Sequence, residues 1–75
     1  MIILSQDKKR ISENLEISVC PVYADETDEN IVRWSIENDY IEMGVYETEE
    51  RAMQVLNDIW SKLCDKREMY RMPEK

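Results

Sequence analysis

Histidine is absent from the 75 residues, glycine occurs once, and cysteine and proline occur twice each. Without histidine, serine–histidine and cysteine–histidine nucleophile pairs are excluded, and so are metal sites that use imidazole ligands. A single glycine excludes a glycine-rich phosphate-binding loop. Cys20 and Cys64 do not form a CxxC pair and are too few for a structural zinc site. These absences predict a protein that is not an enzyme and holds neither a metal nor a cofactor.

Long apolar runs are also missing, and none approaches the roughly 20 residues that a membrane-spanning helix needs. The first four residues, MIIL, are too short for a signal peptide and have no basic segment before them. We therefore expect reduced cysteines, no membrane contact and a cytoplasmic location. Ten lysines and arginines stand against 17 aspartates and glutamates, a net charge of −7. That charge repels nucleic acid and attracts basic protein surfaces.

The clearest element is a helix that begins after Thr48. The Thr48 hydroxyl is suited to cap the first turn, and Glu49 and Glu50 place negative charge at the positive end of the helix dipole. Because apolar residues then recur at helical spacing, we expect the helix to pack on a flat apolar surface. The predicted buried stripe consists of Ala52, Val55, Leu56, Ile59, Trp60 and Leu63.

Residues 31–46 predict a β-hairpin with a two-residue turn at Asn38-Asp39. The register that follows places six apolar residues on one face, in the pairs Val32/Val45, Trp34/Met43 and Ile36/Ile41. A shift by one residue would scatter this set, so the pattern supports the register. The opposite face then carries Ile31, Arg33, Ser35 and Glu37 against Tyr46, Gly44, Glu42 and Tyr40.

Shorter strand signals precede the hairpin. Ile2–Leu4 is typical of a short buried strand, residues 11–14 fit either a second short strand or a loop, and residues 15–23 alternate as a half-buried strand does. In the last of these, Pro21 marks an end, a bulge or an open edge. The sequence thus predicts an α+β fold in one domain, residues 1–75. Its antiparallel sheet has three to four strands, as a meander or hairpin, and one C-terminal helix packs on one face.

Two segments are expected outside this framework. Residues 24–30, ADETDEN, predict a flexible acidic loop without the glycine and spacing of a calcium-binding loop. The tail, residues 68–75, is more apolar than a free tail needs to be. Either Met69 or Met72 folds back to cap the core, or the tail docks on a partner, since methionine adapts to irregular surfaces.

The polar face of the hairpin brings together residue types that are common in protein interfaces, namely Ile31, Arg33, Tyr40 and Tyr46. Tyrosine and arginine are favoured in interface hot spots, but tyrosine and isoleucine are also ordinary strand formers. The face is therefore either a contact patch or plain half-exposed sheet. Because so small a core is marginal, we expect a homo-oligomer, formed through this patch or an open strand edge.

Three segments, covering about half of the chain, carry a resemblance: MIILSQDKK at the start, MGVYETEERAMQVLNDI around the helix start, and YRMPEK at the end. They resemble a family of short proteins from phages and mobile elements of Firmicutes. Those begin with MII-SQD, carry G-Y-x-TEERA-x-x-VL-x-EI and end in Y-x-MP. The shared motifs are structural, and a longer segment that many such proteins have before the tail is missing here. The resemblance implies an accessory protein that acts in the host cell by stoichiometric binding.

Two functions follow as hypotheses, and the charge balance favours the first. In it, the protein is an acidic, anti-CRISPR-like inhibitor of a host defence or nucleic-acid-handling protein. Its carboxylates occupy a basic channel: Asp25, Glu26, Asp28, Glu29, Glu42, Glu47, Glu49 and Glu50. In the second, an oligomer sequesters a nucleotide-type defence signal with Arg33, Tyr40 and Tyr46, or with the Lys8-Lys9-Arg10 turn. A host-regulating adaptor without a defence role is a third hypothesis.

Overall fold

The computed structural model describes residues 1–13, 16–23 and 32–75, and within them it has two three-stranded sheets and one helix. The predicted α+β class is confirmed. The predicted acidic loop at residues 24–30 lies outside the described residues. In chain order the elements are β1 (Ile2–Leu4), β2 (Ile11–Ser12), β3 (Ile17–Tyr23), β4 (Val32–Asn38), β5 (Ile41–Tyr46), α1 (Glu49–Cys64) and β6 (Met69–Arg71).

The first sheet joins the two ends of the chain. Its central strand, β1, pairs antiparallel with β2 and parallel with β6 in the order β2-β1-β6. The tail therefore forms a strand. Of the alternatives predicted for it, Met72 folds back on the core, with 2% of its surface exposed against 73% for Met69. β1 therefore belongs to a second small sheet, apart from the predicted antiparallel one, and its pairing with β6 is parallel.

The second sheet is an antiparallel meander in the order β3-β4-β5, and α1 packs across all three strands. Pro21 lies within β3, which is an edge strand, and its register partner is Trp34. An edge position tolerates proline because no neighbouring strand needs its missing N–H. Pro21 was predicted to mark a strand end, a bulge or an open edge, and the open edge is confirmed.

Both sheets and the helix contribute to one buried cluster. The first sheet and the residue that follows it supply Ile3, Tyr70 and Met72; the second sheet supplies Ile36, Met43 and Tyr46; the helix supplies Ala52, Val55 and Ile59. Gly44 lies directly beneath the tail, where an added Cβ would approach Tyr46 Oη to 3.1 Å and Met72 Cε to 3.2 Å. The only glycine in the chain thus allows the tail to close over β5.

The hairpin is present, but its predicted register is wrong. The turn consists of Asp39 and Tyr40, not Asn38 and Asp39, and Trp34 pairs with Tyr46 instead of Met43. Asn38 belongs to the strand, because its side chain is fully buried and donates to Ser12 Oγ at 3.0 Å. The register shifts between Ile36 and Glu37, where β5 has one residue more than β4.

This bulge changes which residues of β5 are buried. An extra residue exchanges the two faces of a strand beyond the point of insertion. Tyr46 is therefore buried, with 2% of its surface exposed, although the predicted register placed it on the polar face. Ile41 lies on the turn side of the bulge and pairs with Asn38, so its face is not exchanged. It was predicted to face the helix and is 44% exposed next to the turn.

The helix begins as predicted and buries a narrower stripe than predicted. Thr48 Oγ1 accepts a hydrogen bond from the Arg51 N–H at 3.0 Å, which confirms the N-cap. Ala52, Val55 and Ile59 are buried, whereas Trp60 is 66% exposed, so its assignment to the core is wrong. Trp60 lies on a side of α1 that the β3-β4-β5 sheet does not cover.

Candidate functional site

The turn between β4 and β5 places a bulky residue in an unfavourable backbone conformation. Asp39 and Tyr40 both have positive φ, 53° and 67°, as in the turns that match the twist of a β-hairpin. Glycine and asparagine are common there, whereas other residues lose roughly 1–2 kcal/mol in the left-handed region. The Tyr40 side chain is 88% exposed, so burial of its ring does not offset this loss.

Two carboxylates face each other just behind this turn. Glu37 of β4 and Glu42 of β5 are register partners, so their side chains project from the same face of the hairpin. Like charges in directly opposed positions destabilise a sheet. Within the described residues, neither glutamate forms an ion pair with a lysine or arginine. The arrangement favours a cationic partner from outside the chain.

The neighbouring strand adds to the acidic character of the tip and holds it in place. The Asp39 N–H donates to the main-chain oxygen of Glu16, at 2.8 Å, and the Glu16 side chain is exposed. Asn38 is bonded to Ser12 and ties the base of the turn to β2. We use "hairpin tip" for Glu16, Glu37, Tyr40, Ile41 and Glu42. The hydrogen bonds of Asn38 and Asp39 hold this surface in place.

A groove of about 690 Å³ lies at the other end of the hairpin. Tyr46 forms its floor, donates its hydroxyl hydrogen to the Pro73 main-chain oxygen at 2.8 Å, and lies 5.9 Å from the Arg51 guanidinium carbon. Burial raises the pKa of Tyr46 to about 12, although the Arg51 charge acts in the opposite direction. The residues that line the groove are Gln6, Arg33, Val45, Tyr46, Glu47, Thr48, Arg51, Glu74 and Lys75.

Most polar groups of this groove are already bonded within the chain. Arg51 donates from Nε and Nη2 to the Lys75 main-chain oxygen, at 2.9 and 2.7 Å. Gln6 bonds to Val45 and to the Glu74 main-chain oxygen. Arg33 is exposed and has no ion pair with a described residue. The Lys75 ammonium also lines the groove and has no ion pair with a described residue, so Arg33 and Lys75 are the cations that this groove offers to an anionic ligand.

The predicted contact patch is not one surface. Arg33 lies near the start of β4 and Tyr40 in the turn beyond its end, seven positions further along the chain, which corresponds to about 20 Å at strand spacing. Tyr46 shares the groove with Arg33, but its ring is buried and not available for stacking. The fourth member, Ile31, lies outside the described residues.

The predicted acidic surface is only partly described. Glu42 is exposed at the hairpin tip, Glu47 is exposed at the rim of the groove, and Glu49 and Glu50 are exposed at the helix start. These four glutamates therefore do not form one cluster around the tip. The predicted loop residues Asp25, Glu26, Asp28 and Glu29 lie outside the described residues.

Two residues at these surfaces were not given these roles from the sequence: Gln6 was not singled out, and Trp60 was assigned to the buried stripe. The Gln6 side chain bonds to Val45 of the edge strand β5. Local periodicity does not reveal this contact, because the two residues are 39 positions apart. Trp60 stands beside an apolar groove of about 440 Å³. Its signal was present in the spacing of Met53, Leu56, Trp60 and Leu63, which forms a second stripe next to the buried one.

Comparisons of the chain with protein-family models, with curated proteins and with solved structures found no match. The kinship with short proteins of phages and mobile elements therefore stays a prediction from sequence motifs. In the described part of the chain, no helix is long and apolar enough to cross a membrane. No group of three or more cysteines, aspartates or glutamates among the described residues is placed to hold a metal ion.

Proposed function

We propose that this protein acts without catalysis, by stoichiometric binding of a basic protein surface through its hairpin tip. The observation that carries the proposal is Tyr40, a large aromatic side chain that is 88% exposed at a backbone position with φ of 67°. Glycine at this position would relieve the backbone and expose less apolar surface. Strain that the fold does not need points to a function for the side chain.

The charges around Tyr40 define the chemistry of the partner. Glu37 and Glu42 repel each other in the free protein, and a lysine or arginine between them relieves that repulsion. Tyrosine is among the residue types that dominate interface energetics, and Ile41 adds apolar area beside it. The net charge of −7 accelerates the encounter with a basic partner.

Proteins that handle nucleic acids present such basic surfaces, because they bind phosphates with lysine and arginine. The resemblance to short phage and mobile-element proteins supports a target in the host, and a nucleic-acid-guided defence protein fits both features. We therefore favour an anti-CRISPR-like inhibitor that acts inside the host cell and occupies a nucleic-acid channel. This target class rests on charge and on motif resemblance.

The test uses host cells that carry a nucleic-acid-targeting defence system and are challenged with phage. Wild-type protein is expected to restore plaque formation, and Tyr40→Gly is expected to lose this effect although its fold becomes more stable. Glu37→Gln with Glu42→Gln should weaken the effect as well, whereas Tyr40→Phe should retain most of it. Full activity of Tyr40→Gly would refute the hairpin tip as the binding surface.

A second candidate function is supported by the groove at the other end of the hairpin. Its volume of about 690 Å³ suits a nucleotide-sized ligand, and Arg33, Arg51 and Lys75 line it. Stacking on Tyr40 and Tyr46 is not available to this ligand, because Tyr40 is about 20 Å from Arg33 along the backbone at strand spacing and the Tyr46 ring is buried. Arg33→Ala would abolish sequestration and leave a hairpin-tip inhibitor unaffected. Comparison of Arg33→Ala with Tyr40→Gly therefore separates the two candidate functions.

A further inference from the structure

The outer side of α1 carries an apolar stripe that the sheet does not cover. The helix buries Ala52, Val55 and Ile59. Next to them, Met53 and Trp60 are 39% and 66% exposed, and Leu56 and Leu63 are half-buried. The spacing of these four residues alternates between three and four, as in the a and d positions of a coiled coil. We use "outer stripe" for Met53, Leu56, Trp60 and Leu63.

We infer that the outer stripe is the contact between two copies of this chain, which pack their α1 helices antiparallel about a two-fold axis that crosses the stripe at the level of position 58. This inference is independent of the hairpin tip, which lies on other elements. It differs from the predicted oligomer contacts through the Arg33 face or an open strand edge.

Shape is the first argument for a second copy. Trp60 projects from the helix, and beside it lies an apolar groove of about 440 Å³. The groove is lined by Ile17, Leu56, Asn57, Ile59, Trp60 and Leu63. A two-fold interface requires a knob and a matching hole on the same surface, because each copy supplies both. The indole of one copy can enter the groove of the other, and the reverse contact forms at the same time.

The order of residues along the stripe is the second argument. When two such helices run antiparallel about position 58, Leu56 faces Trp60 of the second copy and Met53 faces Leu63 of the second copy. Each of the four apolar residues then meets an apolar residue. A parallel pair would instead place Trp60 against Trp60 and leave the two knobs in competition for the same space.

Charge is the third argument, because two chains of −7 repel each other over most of their surfaces. None of the six residues that line the groove is charged. The helix starts with Glu49 and Glu50, whereas its end, residues 62–68, has three basic side chains against two acidic ones, a net charge of +1, with Arg67 paired to Asp65. In the antiparallel arrangement the acidic start of one helix lies near the basic end of the other, which favours this orientation over the parallel one.

Sedimentation equilibrium of the full chain tests the contact. Wild type is expected to form a dimer of twice 9.0 kDa at about 10–100 μM, the range of a small interface. Trp60→Lys should raise the dissociation constant at least tenfold with an unchanged circular dichroism spectrum. Met53→Lys, at a second exposed position, should act in the same direction. Gln54→Lys, on the solvent side of the helix, is the matched control and should leave the dimer intact.

Cross-linking tests the orientation in the variant Cys20→Ser with Met53→Cys. The new thiol is expected to react with Cys64 of the second copy through a short bismaleimide, because the antiparallel axis brings these positions within one residue of each other. In Cys20→Ser alone, the two Cys64 residues would be about 18 Å apart along the helices and should not be linked. A monomer at 100 μM, or a dimer that Trp60→Lys and Met53→Lys leave intact, would overturn the contact. Efficient Cys64–Cys64 linkage would overturn the antiparallel orientation.

Discussion

The side-chain amide of Gln6 bonds to Val45 as a neighbouring β-strand would. Its Nε2 donates to the Val45 main-chain oxygen at 3.0 Å, and its Oε1 accepts from the Val45 N–H at 2.8 Å. Nε2 also donates to the Glu74 main-chain oxygen at 2.8 Å. One side chain thus satisfies part of the open edge of β5 and holds the tail against it, which limits pairing of that edge with another chain.

We expect Gln6→Ala to lower the free energy of unfolding by about 1–3 kcal/mol, because the two main-chain groups of Val45 lose partners in a half-buried place. Urea unfolding followed by circular dichroism measures this change. Gln54→Ala, at an exposed glutamine of α1, is the control and should alter stability by less than about 0.5 kcal/mol. Equal losses in both variants would mean that the clamp is not stabilising.

Tyr40→Gly should raise the free energy of unfolding by about 1 kcal/mol, since glycine adopts the positive φ of this turn without steric conflict. The exposed ring contributes little burial that the variant would lose. Tyr40→Ala is the matched control, because alanine keeps the backbone strain while it removes the ring. A loss of stability in Tyr40→Gly that Tyr40→Ala does not share would show that the turn is not strained.

Ile59→Ala should cost about 2–5 kcal/mol, because Ile59 is buried in the cluster formed by the helix and both sheets. Trp60→Ala should cost less than about 1 kcal/mol at concentrations where the protein is monomeric, since Trp60 is mostly exposed. Thermal or urea unfolding at about 1 μM distinguishes the two residues. A larger loss of unfolding free energy for Trp60→Ala would mean that Trp60 belongs to the core, as its spacing in the sequence predicted.

The helix was predictable because its signals are local. A threonine cap, two acidic residues in the first turn and apolar residues at helical spacing act within a few residues of one another. The two positions Ile59 and Trp60 are adjacent, however, and both fit a wide stripe. Which of them is buried depends on where the sheet ends beneath the helix, and the helix sequence does not contain that information.

The register of the hairpin and the strand in the tail were not predictable in the same way. The bulge in β5 turns Tyr46 inward, where its hydroxyl bonds to Pro73, and Met72 closes over Gly44. These contacts join residues that are about 30 positions apart, so a pattern within the hairpin favours the simpler, unbulged register. The pairing of β6 with β1 spans nearly the whole chain and has no local signal.

Alkaline pH should destabilise the protein through two buried tyrosines. Burial raises the pKa of Tyr46 to about 12, and burial together with the hydrogen bond to Asp58 raises the pKa of Tyr70 above its ordinary value. In the unfolded chain both hydroxyls lose their protons near pH 10, whereas in the folded protein they keep them. The unfolded state then binds fewer protons, so stability is fully present below pH 10 and falls as the pH rises toward 12.

Urea unfolding at pH 8, 10 and 11 measures this dependence. Tyr46→Phe and Tyr70→Phe should each reduce the fall in stability between pH 10 and 11, because phenylalanine has no proton to lose. At pH 8 both variants should be less stable than wild type, since each removes a hydrogen bond, to Pro73 or to Asp58. Tyr40→Phe is the control at an exposed position and should leave the difference between the two pH values unchanged. The same fall in wild type and in both buried-site variants would exclude these two tyrosines as its source.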